Sequence, residues 1–291
     1  MYSQGLNYLL ESQDEWNENL ETQPAIVSFA LMAVMARGEN FNHPKFKPYA
    51  EKCIDLIINN QDQDSGFIGT SMYNHGFTTL ALSECYGLVD DPRLAPALKK
   101  AVDLIISAQE SNPKNAWRYT PNSPDADSTV TGCQLVALLG ARNAGIPVPA
   151  SAISKGLAYM ESCRSSDGSY GYTNNNNGRP TLTAIGILTH RLAQKKDDEG
   201  YQRSLEYLTR RLNYRDQHYP FYFEYYMSQA LFQANIEAWA DWNKRNIRYL
   251  KVIQNNDGSW SDRSANRVYS TSAALLSLAL NYRFLPIYEK F

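Results

Sequence analysis

The segment Asp125-Ala126-Asp127-Ser128-Thr129 places two carboxylates two residues apart, directly before a long apolar run. A carboxyl group whose charged form is disfavoured by its surroundings can donate a proton, while a neighbouring carboxylate stays ionised. The same residue types also begin helices, because Asp and Ser side chains accept hydrogen bonds from the first free backbone N–H groups. The segment therefore predicts either an acid pair or the N-cap of a helix that begins near Thr129.

Other residues able to bind a ligand or move a proton also stand where apolar segments begin. His75 can orient a carboxylate, donate to a ligand or serve a structural role. Tyrosines at these places add aromatic faces, which suit polyprenyl chains, carbocations or sugar rings, or simple packing between helices. The candidates are Asp127, Asp125 and His75 for catalysis, and Tyr73, Thr129, Arg179, Tyr222, Glu224, Tyr225, Tyr226, Arg267 and Tyr269 for lining a ligand cavity.

The run from Asn174 to Asn177, followed by Gly178, forms a polar stretch before the fourth apolar segment. Asn and Gly are the residues that turns prefer, because they tolerate backbone conformations that other residues avoid. The run predicts a solvated turn, with a glycan or ion site as the alternative.

An internal repeat positions all of these residues. Four similar segments end in glutamine, at Gln13, Gln61, Gln109 and Gln254, and two weaker copies place Arg164 and Leu212 at the same point. The spacings between the six marks are 48, 48, 55, 48 and 42 residues. Repetition at a fixed period of this length indicates stacked supersecondary units, here six of about 48 residues.

Each unit has the same order of elements. An amphipathic helix is followed by a turn rich in Gly, Asp, Asn and Ser with an aromatic residue, and then by a helix that is apolar nearly all round. The fifth of these apolar helices is predicted over 224–239 and the sixth over 270–284. The glutamine amides are expected to bond free carbonyls at helix C-termini and to tie the amphipathic helices together.

Twelve helices in six pairs can form an open solenoid or a closed ring. We expect the ring, because the sixth repeat is as apolar as the central ones and an open array needs a polar cap at each end. The prediction is an all-α fold, a single (α/α)6 toroid over residues 1–291, with the apolar helices inside. Parallel inner helices bring their N-termini, and the candidate residues, to one end of the central cavity.

Composition excludes several classes of function. The 291 residues carry 28 basic and 30 acidic side chains, a net charge of −2, so no field favours nucleic acid. No apolar run reaches the length of an integral membrane span, and the four cysteines and four histidines show no spacing typical of metal ligands. We expect no metal and no cofactor, and we expect the cysteines to be buried thiols that pack as small hydrophobic residues. The protein is expected to be soluble, periplasmic or exported if a signal peptide was removed and otherwise cytoplasmic.

The repeated glutamine, turn glycine and aromatic residue, best preserved as Gln254, Gly258 and Trp260, resemble the QW repeats of squalene and hopene cyclases. The stretches YNHGFTTLALSECYGL, DADSTVTGCQLVALLGARNAGIPVP and RVYSTSAALLSLALNYRFLPIY resemble bacterial prenyltransferase and squalene oxidase repeat proteins. The resemblance covers the whole chain. It implies the α/α toroid of terpenoid cyclases and protein prenyltransferases.

The segment at 125–129 also resembles the DxDDT motif of proton-initiated terpenoid cyclases. The resemblance implies that Asp127 is the acid and Asp125 its partner, although Ser128 replaces the third aspartate of the motif. The zinc site of protein prenyltransferases is not implied, since no aspartate stands two residues before a cysteine. Gly132-Cys133-Gln134 resembles only the first residues of the complement thioester motif, and Cys133 is expected in the core.

Three functions follow as expectations. The first is binding of an isoprenoid or another apolar small molecule in the central cavity. An incomplete cyclase site that processes this molecule is the extension of that expectation. The second is a noncatalytic scaffold for a protein or peptide partner, with a filled ring. The third is a carbohydrate-active enzyme, a lyase or hydrolase, with Asp127 and Glu224 as the pair of carboxylates that glycoside cleavage requires.

Overall fold

A computed structural model describes residues 1–15, 23–38, 43–195, 198–263, 265–282 and 285–288. These residues form twelve α-helices and no β-strand, which confirms the all-α prediction. The helices are α1 (Tyr2–Glu11), α2 (Pro24–Met35), α3 (Lys47–Asn59), α4 (Met72–Cys85), α5 (Leu94–Ser111), α6 (Ser128–Asn143), α7 (Ala150–Ser162), α8 (Pro180–Leu192), α9 (Glu199–Thr209), α10 (Pro220–Ala234), α11 (Ile236–Ile253) and α12 (Arg267–Ala279).

The even-numbered helices form a closed inner ring. Each contacts the next, from α2 through α4, α6, α8 and α10 to α12, and α12 packs back against α2. The odd-numbered helices lie outside, each against the inner helix that precedes it, and α1 packs against α12. The predicted toroid of six helical pairs is confirmed.

Burial explains why the two sets of helices differ in sequence. Inner helix α6 is buried continuously over residues 128–141, because neighbours cover it on both sides. Outer helix α5 buries a stripe that includes Leu98, Ala101, Val102 and Ile105, spaced as one face of a helix, and leaves its other face in water. Apolar content along the chain therefore alternates with the position of the helix in the ring.

Three predicted helix boundaries were wrong, two in the fifth inner helix and one in the sixth. The fifth inner helix begins at Pro220, where proline suits the first turn, and ends at Ala234. Asn235 ends α10 and also caps α11, accepting a hydrogen bond from Ala238 N, so Trp239 belongs to the outer helix. No linker separates the two helices, which is why the sequence reads as one run. The sixth inner helix begins at Arg267; its predicted end, Phe284, lies outside the described residues.

The repeated glutamines join neighbouring outer helices. Gln61 Nε2 donates to Gly66 O in its own turn at 3.1 Å and to Ala97 O in α5 at 2.9 Å. Gln109 and Gln254 make equivalent pairs of bonds, to Asn115 O and Ala152 O and to Gly258 O and Met1 O. The expected tie between outer helices is present. The acceptors, however, lie in the turn and at or near the start of the next outer helix, and not at a helix C-terminus.

Close approach of backbones at these turns requires glycine. Gly258 has φ of +88°, and a Cβ there would lie 2.5 Å from Gln4 O. The turn of the sixth repeat therefore packs directly on α1, and together with the Gln254 bond to Met1 O it closes the ring.

Candidate functional site

The first turns of all six inner helices converge on one cavity of about 760 Å³. One lining residue from each helix shows the arrangement: Ala25, Tyr73, Thr129, Thr181, Tyr222 and Tyr269. The remaining lining residues are Gln23, Phe29, Ser71, Asn74, Phe77, Tyr119, Tyr172, Thr173, Asn174, Asn176, Asn177, Arg179, Leu182, Asp216, Tyr219, Phe221, Asp262 and Ala265. The structure thus brings five predicted cavity residues together: Tyr73, Thr129, Arg179, Tyr222 and Tyr269.

Aromatic rings form a connected wall of this cavity. Phe29 contacts Phe77 and Tyr269 edge to face, with ring centroids 4.8 and 4.9 Å apart. Tyr73 stacks on Phe77 at 6.3 Å and also meets Tyr119, at 6.0 Å. The rings lead from the partly exposed Tyr119 to the buried Phe29.

Asp127 is the N-cap of α6. Its Oδ1 accepts from the backbone N–H groups of Thr129 and Val130, both at 2.9 Å, and from Thr129 Oγ1 at 2.5 Å. The side chain is fully buried, and burial raises the pKa of Asp127 above its usual value despite these hydrogen bonds. Asp127 does not line the cavity, and Thr129 lies between the two.

Arg118 is a site residue that sequence analysis missed. Its Nη1 lies 3.2 Å from Asp125 Oδ2, and its Nε lies 3.5 Å from Asp127 Oδ2. The guanidinium also stacks over the rings of Tyr119 and Tyr172, 5.0 and 5.4 Å from their centroids. Asp125 is exposed and lines a separate groove, so the two aspartates share a cation and do not face the same space.

His75 serves the turn that precedes α4. Its Nδ1 accepts from Ile68 N at 3.1 Å, and its Nε2 lies 2.9 Å from Ala101 O. In other repeats a threonine takes the place of His75. Each accepts a hydrogen bond from a backbone N–H group of the corresponding turn, and these residues are Thr131, Thr183 and Thr271. The side chain is fully buried, and burial lowers the pKa of His75 to about 4. Both ring nitrogens are used, and neither faces the cavity.

Glu224 faces away from the cavity. Its Oε1 lies 3.3 Å from Arg215 Nε, and the carboxylate has no hydrogen-bond partner among the described residues. The Arg215 guanidinium lies over the rings of Trp242 and Tyr249 on α11, so Glu224 sits on the outer side of α10. Burial raises the pKa of Glu224 to about 7.

Helical geometry accounts for these placements. Residues two apart on a helix point about 200° away from each other. Tyr73 faces the cavity and His75 does not, and Tyr222 and Glu224 repeat this relation on α10. On α12, Tyr269 lines the cavity while Arg267 pairs with Asp257 at 3.2 Å outside it.

The two remaining tyrosines support the wall from behind. Tyr225 packs against Phe29, with ring centroids 4.9 Å apart, and Tyr226 meets Tyr222 edge to face at the same separation. Both are buried and neither lines the cavity.

Asp216 and Asp262 are the described carboxylates that line the cavity. Asp216 Oδ1 accepts from the N–H groups of His218 and Tyr219, both at 3.0 Å, and its Oδ2 accepts from Thr181 Oγ1 at 2.7 Å. Burial opposes ionisation, but these hydrogen bonds outweigh it and hold the pKa of Asp216 below its usual value. A signal was available: Asp216 stands four residues before Pro220, where an aspartate commonly turns the chain into a helix.

The asparagine run also belongs to the cavity wall. Asn174, Asn176 and Asn177 line it together with Thr173, so the solvated turn predicted here is one wall of the pocket. Asn177 has φ of +53°, a conformation that asparagine tolerates better than most residues. The four cysteines are free and buried, as expected for Cys133.

Two further properties concern the described residues only. They contain no group of three or more His, Cys, Asp or Glu side chains arranged to hold a metal ion. None of their helices is long and apolar enough to cross a membrane.

Comparison with known proteins places this ring and its rim cavity in the class of α/α toroids. The chain belongs to the prenyltransferase alpha-alpha toroid domain family, whose match spans residues 3–219. No curated protein matches the sequence.

Solved structures share the fold at low sequence identity. The alpha-1,6-mannanase of Salegentibacter sp., a family 76 glycoside hydrolase, has a TM-score of 0.70 at 10% identity, covering 96% of this chain and 98% of its own. Protein geranylgeranyltransferase-I of Candida albicans, complexed with GGPP, has 0.67 at 14% identity, covering 100% and 95%. A type II terpene cyclase from Scytonema has 0.63 at 13% identity, covering 98% and 97%. Glycoside hydrolases, prenyltransferases and cyclases thus share this toroid.

Proposed function

We propose that the protein binds a carbohydrate chain in the central cavity and hydrolyses it. The observation that carries the proposal is the lining, in which aromatic rings alternate with amides, hydroxyls and two carboxylates. Sugar rings present apolar faces to aromatic side chains and a rim of hydroxyls to polar ones, so this mixture matches them.

The charges and the aliphatic surface favour a sugar over an isoprenoid diphosphate. Among the described lining residues, Arg179 is the cation, against the carboxylates Asp216 and Asp262. A diphosphate needs several positive groups, and the excess of carboxylates over cations in this lining repels it. Leu182, Ala25 and Ala265 are the described aliphatic residues of the lining, a small surface for a long hydrocarbon chain.

Asp216 and Asp262 take the roles first expected of Asp127 and Glu224. Glycoside hydrolysis needs one carboxyl group that donates a proton and one carboxylate that activates water or attacks the sugar. The lowered pKa of Asp216 suits the ionised role. The proton donor in this proposal is Asp262, whose Oδ2 accepts from Ser270 Oγ at 3.3 Å.

The structural neighbours support the same choice. A variant of the Salegentibacter mannanase, inactive through replacement of two aspartates, has been solved in complex with alpha-1,6-mannotriose and has a TM-score of 0.69 with this chain. The toroid can therefore hold an oligosaccharide, and the carbohydrate interpretation has at least as much structural support as the isoprenoid one.

Calorimetric titration with alpha-1,6-mannotriose, cellobiose and geranylgeranyl diphosphate tests the proposal. We expect saturable binding of an oligosaccharide, weakened about tenfold by Tyr219→Ala, which removes an exposed ring at the cavity mouth. Tyr86→Ala is the matched control, because this ring is also exposed but lies outside the cavity. Mass spectrometry of the incubated sugars then follows hydrolysis, which Asp262→Asn should abolish.

The isoprenoid interpretation keeps one specific observation in its favour. Phe77 and Tyr269 both pack against Phe29, and this part of the aromatic wall could contact a prenyl chain or a carbocation. Binding of geranylgeranyl diphosphate without binding of any sugar would establish this candidate and overturn the carbohydrate proposal. The open cavity does not support the second expectation, a scaffold with a filled ring.

A further inference from the structure

A chain of three hydroxyl and carboxyl groups runs from the buried N-cap of α6 to the cavity. Thr129 Oγ1 donates its proton to Asp127 Oδ1 at 2.5 Å, and the Tyr73 hydroxyl is hydrogen-bonded to Thr129 Oγ1. Tyr73 and Thr129 line the cavity, while Asp127 is fully buried behind them. The chain therefore connects a closed environment to the ligand space.

The direction of the first bond does not depend on the charge of Asp127. Two backbone N–H groups already point at Oδ1, so a proton cannot reside there. A neutral Asp127 carries its proton on Oδ2, the oxygen that lies 3.5 Å from Arg118 Nε. In both states Oδ1 accepts, and Thr129 commits its single hydroxyl proton to it.

The direction of the second bond follows from the first. Thr129 has no other hydroxyl proton to offer, so the Tyr73 hydroxyl must donate its own proton to Thr129 Oγ1. A phenol has one proton. The Tyr73 oxygen is therefore left with lone pairs only, and it can accept a hydrogen bond from the cavity but cannot donate one.

We propose that Tyr73 is a specificity-determining residue that accepts a hydrogen bond from a donor hydroxyl of the ligand, and that Thr129 and Asp127 are positioning residues that fix this polarity. The proposal rests on the carbohydrate function for the identity of the donor, a sugar hydroxyl. Fluorine has a size similar to that of the hydroxyl but carries no proton. Replacement of the hydroxyl by fluorine therefore places the lone pairs of the fluorine against those of the Tyr73 oxygen. The site then binds the analogue more weakly, and the loss of binding free energy is comparable to the cost of leaving a buried polar group unpaired.

The binding test compares alpha-1,6-mannotriose with its monodeoxyfluoro analogues. In the unmodified protein, fluorine at the contacted position is expected to weaken binding at least about tenfold. Thr129→Val frees the Tyr73 proton to point at the ligand, so the penalty should fall below about threefold. Thr129→Ser keeps the hydroxyl and should restore the full penalty.

Thr189→Val is the matched control for this substitution. Thr189 is also buried on an inner helix, but its hydroxyl donates to Gly186 O within α8 and does not line the cavity. This variant should keep the fluorine penalty. A penalty that stays unchanged in Thr129→Val would overturn the proposal.

A second measurement decides the polarity without any ligand. Tyrosine labelled with ¹³C at Cζ reports hydrogen-bond donation by the phenol, and Tyr73→Phe identifies the Tyr73 signal. We expect Thr129→Val to move this signal upfield and Thr129→Ser to leave it in place. If no sugar binds, the carbohydrate function fails, while an unmoved Cζ signal in Thr129→Val refutes the hydrogen-bond chain itself.

Discussion

At the residue scale, the most unusual group is a carboxylate away from the cavity. Glu224 is buried beside Arg215 and near Tyr249, and its pKa is raised from 4.5 to about 7. A raised pKa means that the folded protein binds a proton more tightly than the unfolded chain does. The stability that this provides is complete below about pH 4.5 and is lost as the pH rises through about 7.

Substitution Glu224→Gln should remove this dependence. The free energy of unfolding of the variant, minus that of the unmodified protein, is expected to rise by about 3 kcal/mol between about pH 4 and about pH 8. Urea unfolding at a series of pH values measures the difference. His75 contributes the opposite slope, because its pKa is lowered, but it is present in both proteins and cancels. A difference that is the same at all pH values would contradict the assignment.

At the element scale, the bridging glutamines hold adjacent hairpins in register. Each amide donates to its own turn and to the next outer helix, so one side chain satisfies carbonyls of two repeats. The turns need such ties because they pack backbone against backbone and have little side chain to bury, as Gly258 shows.

Substitution Gln109→Ala should lower the free energy of unfolding by about 1–3 kcal/mol, since it removes two hydrogen bonds and leaves a buried gap. Gln63→Ala is the control. Gln63 is exposed and its amide donates to Gln61 O, and its loss should cost less than about 0.5 kcal/mol. Chemical denaturation of the two variants side by side gives the comparison, and equal costs would show that the bridge is not a stabilising element.

At the scale of the whole molecule, stability depends on closure of the ring. Helix α1 covers α12, where Gly5 allows close contact with Trp260 and Leu275, and it accepts the Gln254 bond through Met1 O. A repeat array without free ends should unfold as one cooperative unit, whereas an open solenoid tolerates the loss of a terminal helix.

Deletion of residues 1–11 tests ring closure. We expect the truncated chain to lose its sharp thermal transition and to bind a hydrophobic dye, because the faces of Trp260 and Leu275 become exposed. Circular dichroism and dye fluorescence measure both properties. Addition of the missing helix as a synthetic peptide should restore the transition. A truncated protein that still melts sharply, with only a small decrease in Tm, would indicate an open array.

Much of the fold was readable from the sequence because its causes are local. The glutamine spacing, the turn glycines and the alternation of amphipathic with apolar segments each act within one repeat of about 48 residues, and the alternation recurs in all six repeats. The capping role of Asp127 is local as well, since the backbone N–H groups that donate to it lie within three residues. The boundary between α10 and α11 was missed because Asn235 serves both helices and no linker marks it.

The composition of the site depended on the tertiary structure. The sequence brought residues such as Tyr73 and Tyr222 to the correct end of the ring, but it did not separate the cavity face of each inner helix from the opposite face, where His75 and Glu224 lie. That choice is set by packing around the ring, which turns each helix about its axis.

The cavity carboxylates show the same limit. Asp216 and Asp262 lie in loops of different repeats, and closure of the ring brings them into one pocket with the asparagine run. Local sequence determined that this chain is a toroid with its helix N-termini gathered at one end. The relative rotation of the helices and the paths of the loops, which only long-range packing fixes, decided that the pocket offers aromatic faces, amides and carboxylates to a ligand.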